Sequence, residues 1–397
     1  MTAGPPLDLD EVRRTNWDAV VIGAGPAGAL AARQIALAGP RTLLIDAKSF
    51  PRHKVCGGCL NQRALAALEQ AGLGHLVQQT EAVPLDELLI AYRCQRLRLP
   101  LPGGAAVSRF RLDAELVRSA VEAGVFFLPG VTAQVEDRLA GQRRIVSLQG
   151  RGRRGEVTAC VVASADGLAQ SSLKGWPEFQ PRVAANSHVG IGALLNRGPS
   201  DYPAGCITMV VSHSGYVGLT GVEDGGLNLA AAVSPQALRT ASGAAEVVVS
   251  ILTDAGLVIP AGLQQAAWQG TPPLTRRAGR VAGQRLFVLG DATGYVEPFT
   301  GEGMAWGLSS AVAVAPLVVQ ACREWDDGLA DQWERTHRQL VQRRAGICRF
   351  LAALLRRPWA VSASLRTCRW LPWLPRCAMA NINRQRGASR GIAMGKP

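Results

Sequence analysis

The 397-residue sequence predicts an α/β protein with an inserted antiparallel-sheet domain and a helical C-terminal segment. Three observations predict it. A strand, glycine turn, helix and second strand follow one another over residues 17–48. A second strand, loop and glycine-opened helix occupy residues 285–318. Between them, residues 82–107 and 183–235 run as short alternations of apolar and polar side chains. The segments then divide as 17–80, 108–180 and 276–322 for the α/β layer, 81–107 and 181–275 for the inserted sheet, and 323–397 for a basic helical tail.

The first element is WDAVVIGAGPAGALAARQIALAGPRTLLIDAK. Residues 20–22 read as a strand, Gly23, Gly25 and Gly28 form G-x-G-x-x-G, and residues 27–38 read as an alanine-rich helix that Gly39 ends. Gly23 permits a tight turn, Gly25 lets the backbone approach a pyrophosphate, and Gly28 lets the helix lie close to the strand. A pyrophosphate would then rest on the free N–H groups of the helix N-terminus. Asp46 ends the second strand, placed to accept adenosine ribose hydroxyls. This run predicts a Rossmann-like dinucleotide site and leaves NAD and FAD open.

Next comes HKVCGGCLN, residues 53–61, two cysteines separated by two glycines. Structural zinc needs four ligands, and the other cysteines and five histidines offer no second close pair. A redox dithiol at a helix start is one alternative. The other is a backbone clamp in which Gly57 and Gly58 let the loop pass against a flat ligand, with Cys56 as a small wall residue. No metal site is expected.

Further along, RLDAELVRSAVEAG reads as a helix that starts at Leu112 or Asp113, with Asp113 as its cap. The alternating stretches read as antiparallel strands covering a substrate. His188, His213 and Tyr216 lie in or beside them as candidate substrate contacts, or as sheet residues satisfied by neighbours.

The second glycine-rich run is RLFVLGDATGYVEPFTGEGMAWGLSSAVAVAPLV. Residues 286–289 read as a strand ended by Gly290 and Asp291; a loop with Pro298 follows, and Gly301 and Gly303 open a long helix. Asp291 could hold a ribityl hydroxyl, and the helix start could face a flavin's pyrimidine edge.

Bulk properties narrow the class. Apolar residues at 48% and charged residues at 18% describe a globular chain. Nine scattered cysteines and a polar, acidic start, MTAGPPLDLDEVRR, lead us to expect a reducing cytoplasm. The apolar run at 309–322 reads as a buried helix. Net charge is +13, and residues 343–397 hold eleven arginines, one lysine and no acid. No zinc finger, stacking sheet or helix-turn-helix accompanies this charge, so nucleic acid is not an expected partner. The tail reads instead as a peripheral-membrane segment, a pocket lid, a docking surface for a carrier protein or synthase, or a helix pair with a solvated basic face.

Taken together, VVIGAGPAGALAA, KVCGGCLN, SRFRLDAELVRSAVEAG, VVASADGLAQSSL and GDATGYVEPFTGEGM resemble the FAD-dependent oxidoreductases of the p-hydroxybenzoate hydroxylase fold. That family includes geranylgeranyl reductases, flavin halogenases and aromatic hydroxylases, and the likeness covers residues 17–330. It implies FAD as cofactor and NAD(P)H as reductant. Gly23, Gly25, Ala27, Gly28, Asp46 and Ala47 would surround the ADP half. Arg109 would sit near the pyrophosphate or ribityl chain, and Asp166 in the middle Asp-Gly motif would touch FAD. Gly290, Asp291, Pro298, Gly301, Gly303 and Met304 would frame the flavin, with Cys56, Gly57 and Gly58 running beside its ring.

The resemblance is uneven. Isoprenoid reductases share Tyr-x-Trp-x-Phe-Pro; the corresponding SGYVGLTGVEDGG keeps Tyr216 and lacks the Trp and Phe-Pro. The halogenase lysine and W-x-W-x-I-P are not identifiable. The resemblance therefore implies, first, a monooxygenase that hydroxylates an aromatic or polyketide-like substrate through a flavin hydroperoxide. A geranylgeranyl reductase-like enzyme acting on a lipid-like alkene comes second, and a halogenase or a non-catalytic assembly flavoprotein after it. Cys56, His213, Tyr216 and Pro298 are the candidate catalytic residues.

Overall fold

The computed structural model describes residues 9–150, 152–297 and 301–370. Pro298 and the tail from residue 371 lie outside the described residues.

Strand β1 (Trp17–Ile22), helix α1 (Pro26–Leu37) and strand β2 (Thr42–Asp46) open the α/β layer. Helix α2 (Gln62–Gln70) and strands β3 (Glu87–Tyr92) and β4 (Gln95–Pro100) follow. The layer resumes with α3 (Arg109–Glu122), β5 (Phe126–Pro129), the hairpin β6 (Thr132–Ala140) and β7 (Arg143–Gly150), and β8 (Arg153–Ser164). The inserted part adds β9 (Val189–Leu195), β10 (Cys206–Ser212), β11 (Gly215–Gly221), β12 (Leu227–Val233), α4 (Ala244–Asp254) and β13 (Gln269–Pro273). Strand β14 (Leu286–Val288) returns to the layer. Helices α5 (Glu302–Arg323), α6 (Gly328–His337), α7 (Arg343–Leu355) and α8 (Pro358–Trp370) complete the described chain.

In the first sheet the order β14-β8-β1-β2-β5 is parallel throughout. Such a sheet is covered on both faces, so its strands read as continuous apolar runs. On one side α1 and α5 pack together: Leu30 and Ile35 are fully buried against Leu308, Ala311 and Val314. Burying each of the leucine, isoleucine and valine side chains among them contributes roughly 1.5–3 kcal/mol. By length and composition α5 could cross a membrane, at 22 residues and a mean hydropathy of 1.5, but 61% of that apolar stretch is buried inside this fold. Gly28 shows why α1 sits where it does. A Cβ there would stand 1.8 Å from the Gly23 carbonyl oxygen, so only glycine permits this contact between helix and turn.

The second sheet runs β13-β9-β12-β11-β10-β3-β4. It is not wholly antiparallel, because β3 pairs with β10 in parallel. The two strands come from separate excursions, before and after the chain crosses the α/β layer. The alternation sorts its two faces. Val217, Leu219, Leu227, Leu229 and Val233 pack towards α4, whereas Tyr216, Gly218, Thr220, Ala230 and Ala232 face the opposite way, into a cavity.

Helix α3 corrects the expected start. It begins at Arg109, and the Ser108 hydroxyl caps it by accepting from the Arg111 N–H at 3.2 Å. Asp113 is not a cap; it lies inside the helix, fully buried. The carboxylate is stable there because Arg109, one turn back, binds it with two hydrogen bonds of 2.6 and 2.7 Å.

Candidate active site

The parallel strands end at one level. Ser164 pairs with Ile22 on one side and Val288 on the other, and Ile22 pairs with Ile45. Gly23, Asp46, Ala165 and Gly290 therefore emerge at the same carboxyl edge, where ligands bind in open α/β sheets. From this edge a cavity of about 360 Å³ extends between the first sheet and the even-numbered face of β11 and β12.

One end of the cavity is cationic. A Cβ on Gly25 would lie 3.4 Å from Arg109 Nη2 and 3.9 Å from Arg52 Nη2, so its absence opens the turn towards two guanidinium groups. Arg52 also meets Asp113 at 3.2 Å and Asp46 at 3.6 Å, while its buried Nε–H has no acceptor among the described residues. Burial opposes the charge on Arg109, but the Asp113 carboxylate outweighs it and holds the guanidinium above its ordinary range. Lys54 lines the cavity beside them; burial, then the Arg109 charge, pull its ammonium pKa down, and Asp291 opposes this. Burial pushes Asp291 up, with Lys54 and Arg109 acting against it. A pyrophosphate suits this donor set: the α1 N-terminus, two arginines, a lysine, and an N–H that lacks a partner.

Further in, the CGGC loop forms a wall. Asn228 Nδ2 donates to the Cys56 carbonyl at 2.8 Å, and the Val107 N–H donates to the Gly58 carbonyl at 2.9 Å. A Cβ on Gly57 would meet nothing within 4 Å, so this backbone is pinned at both sides and bare towards the cavity. Cys56 and Cys59 are free thiols on the same wall. Burial pushes the Cys59 thiol up to about 12. Facing the loop are Gly301, Gly303 and Met304 at the start of α5, with Tyr295 so close that a Cβ on Gly303 would stand 3.0 Å from its ring. Arg63 of α2 holds this helix start through Glu302 at 2.9 Å. A flat ring system fits between the pinned backbone and the glycine-opened helix.

The far end is aliphatic. Leu88, Ile90, Leu99, Ile207, Met209 and Leu274 line it, with Tyr216 rising from β11. Gly218 and Thr220 follow Tyr216 on the same face, at the spacing of the Trp and Phe in Tyr-x-Trp-x-Phe-Pro, so the floor is wide where aromatic rings would narrow it. Burial pushes the Tyr216 and Tyr295 hydroxyls well above the ordinary tyrosine range.

Several expected residues meet here: Gly25, Ala27, Cys56, Gly57, Arg109, Gly290, Asp291, Gly301, Gly303, Met304 and Tyr216 all line the cavity. Gly23, Gly28 and Gly58 shape the turns behind it. Others have different placements. His213 is exposed on the turn between β10 and β11, away from the cavity, because the alternation that brings Tyr216 inward ends before it. His188 faces Glu297 at 3.1 Å instead of the cavity. Asp166 turns its carboxylate back onto Ser164, Ser171 and Ser172, leaving Ala165 and Gly167 as the wall. Asp46 accepts from the Ala24 N–H at 2.8 Å and the Lys48 N–H at 2.9 Å, so it braces the glycine turn, and Ala47 beyond it is exposed. Sequence reasoning missed Arg52, Lys54 and Tyr295. The first two stand in FPRHKVC, directly before the cysteine pair, where two cations near a phosphate loop were the available signal.

Residues 16–177 match the family model described as FAD binding domain. Menaquinone reductase from Mycobacterium tuberculosis is 30% identical over 342 residues, covering 80% of this chain and 81% of that protein. Digeranylgeranylglycerophospholipid reductase 1 from Methanopyrus kandleri is 26% identical over 364 residues, covering 82% of this chain and 88% of that one. Among solved structures, the flavin-dependent brominase Bmp2 superposes with a TM-score of 0.74 at 16% identity, covering 93% of this chain and 94% of that chain. That last likeness is one of fold.

Proposed function

This chain belongs to the FAD-dependent oxidoreductases of the p-hydroxybenzoate hydroxylase fold, and from that premise we propose that it reduces a carbon–carbon double bond in the isoprenoid chain of a lipid-like substrate. The observation that carries this reading is the aliphatic far end of the cavity. An isoprenoid chain has no hydrogen-bonding group, so a wall of leucine, isoleucine and methionine side chains leaves nothing in it unsatisfied. Among the described residues of the wall there is no histidine to take a phenol's proton. The relatives named as reductases support the same choice. This reverses the order expected from the sequence, where the missing Trp and Phe-Pro counted against an isoprenoid. Gly218 and Thr220 widen the floor, which suits a bulkier chain or an attached ring.

When bound, FAD supplies the hydride, and we assign NAD(P)H as the reductant that replenishes it. The chain's own residues hold, orient and protonate. Arg52, Lys54, Arg109 and the α1 N-terminus would neutralise the pyrophosphate. The pinned backbone at Gly57 and the α5 start would hold the ring system flat, and Asp291 would take a ribityl hydroxyl. The aliphatic wall excludes water and aligns the substrate chain. Tyr295 keeps its proton at neutral pH and stands at the ring end of the cavity, so it is the proton donor we assign. Cys56, the donor expected from the sequence, lines the same wall.

Two parallel reactions test this function. FAD-loaded protein, reduced with dithionite or NADPH, is given a polyprenyl quinone without oxygen, or a phenol with oxygen. We expect a lipid product heavier by two hydrogens in its tail and a phenol that gains no oxygen. An oxygenated phenol with an untouched lipid would contradict the proposal and support the hydroxylase.

A further inference from the structure

Helices α7 and α8 carry opposite chemistry on their two sides. On the inner side, Leu355, Val361 and Leu365 pack with Leu88, Leu99 and Tyr216, which are themselves walls of the cavity. Gln95 on β4 donates to Ser362 at 2.8 Å, and Arg356 at the joint of the helices pairs with the buried Glu297. The helix pair is thus held to the body, packed against side chains that line the cavity.

On the outer side, Phe350 is 67% exposed, Trp359 70% and Trp370 84%. Trp359, Ala363, Arg366 and Trp370 are spaced by four, three and four residues, which puts them on one face of α8. Val361 and Leu365 occupy the opposite, buried face. Arg349, Arg357 and Arg366 are exposed on or between the two helices, and residues 343–370 contain no acid. Large aromatic rings left in water beside cations of a single sign call for a partner that is anionic and apolar at once.

A bilayer with anionic headgroups has both properties. The aromatic groups are distributed along the pair, at the first and last turns of α8 and in the middle of α7. A protein partner would instead favour a central cluster in a pocket. We propose that the outer face of α7 and α8 docks on an anionic lipid bilayer. Phe350, Trp359 and Trp370 enter the boundary between headgroups and acyl chains, and the arginines meet lipid phosphates. The helices packed against the cavity wall then rest on the membrane. This proposal concerns a surface and does not depend on the reaction assigned above.

The test uses the oxidised, FAD-loaded full chain and vesicles of either pure phosphatidylcholine or phosphatidylcholine with phosphatidylglycerol. We expect sedimentation with the anionic vesicles, about tenfold weaker association with the neutral ones, and release by salt. The triple variant Phe350→Ser, Trp359→Ser, Trp370→Ser should bind at least about tenfold more weakly, while its flavin absorbance and melting temperature match the parent. A parent protein that stays in the supernatant with anionic vesicles would overturn the proposal. So would a triple variant that keeps its flavin and binds as tightly as the parent.

Discussion

The two ends of the cavity select by different physics. The end at the carboxyl edge of the parallel sheet is built from backbone turns and buried charges: Gly23, Gly25 and Gly28, with Arg52, Lys54 and Arg109 arranged around Asp46, Asp113 and Asp291. Its geometry tolerates little change, because carbonyl oxygens and guanidinium groups stand where any added atom would go. The end under the second sheet is built from aliphatic side chains and two small residues, Gly218 and Thr220. It reads length and width, since apolar burial is not directional. A common cofactor needs the first kind of site. A substrate that differs among relatives needs the second.

The sharpest way to break this contrast is Gly28→Ala. The new methyl would fall 1.8 Å from the Gly23 carbonyl oxygen, so the turn must move. We expect purified protein without flavin colour and no saturation on FAD titration, while a substitution in the aliphatic wall leaves the colour intact. Next is Asp113→Asn, which leaves Arg109 and Arg52 without their shared charge. Removing one partner of a buried pair costs about 3–5 kcal/mol, to be read by urea denaturation.

Tyr295→Phe separates chemistry from binding. It should lower kcat about 10²-fold or more with FAD affinity retained, whereas Cys56→Ser should leave kcat within about tenfold by the same criterion. If the two results are exchanged, the proton comes from the thiol.

A pH effect follows from His337. Its Nε2 meets Thr293 Oγ1 at 2.8 Å, behind the flavin-side loop, and burial lowers its pKa from 6.5 to about 4. Between these values the unfolded chain binds the proton more readily, so stability falls as pH drops from 6.5 towards 4 and rises again as pH is restored. The loss approaches about 3 kcal/mol. Stability of His337→Gln, followed by denaturant melts across this window, should lack that slope.

The smallest effect belongs to the aliphatic end. Thr220→Phe should restore bulk at the floor and raise KM by about 10–200-fold for a wide substrate, with the FAD titration unchanged.

How much of this was legible depends on the range of the interactions. The glycine turn, both strand–helix units and the inserted sheet are local patterns, and Gly25, Gly57, Asp291 and Met304 stand on the cavity wall where their motifs suggested. Tyr216, a candidate within the alternating stretch, stands on the cavity face of its strand, whereas His213 falls on the turn between two strands, outside any alternation. Pairings across the chain were not legible. Asp113 reads as a cap until Arg109 and Arg52 are seen around it, and nothing near Glu297 announces His188 or Arg356. Asp166 and Asp46 have carboxylates turned onto their own loops, a choice made by short-range geometry that a motif does not record.

The most direct measurement of the central claim, that one cavity joins a cationic cofactor end to an aliphatic substrate end, is a single anaerobic turnover. FAD-loaded protein is reduced stoichiometrically, mixed with a geranylgeranyl-bearing lipid that has no quinone ring, and followed by flavin absorbance and lipid mass. We expect the yellow colour to return as the tail gains two hydrogens, with one lipid reduced per flavin. Flavin that stays bleached beside an unchanged lipid, and recovers its colour only when oxygen and an aromatic substrate are added, would contradict it.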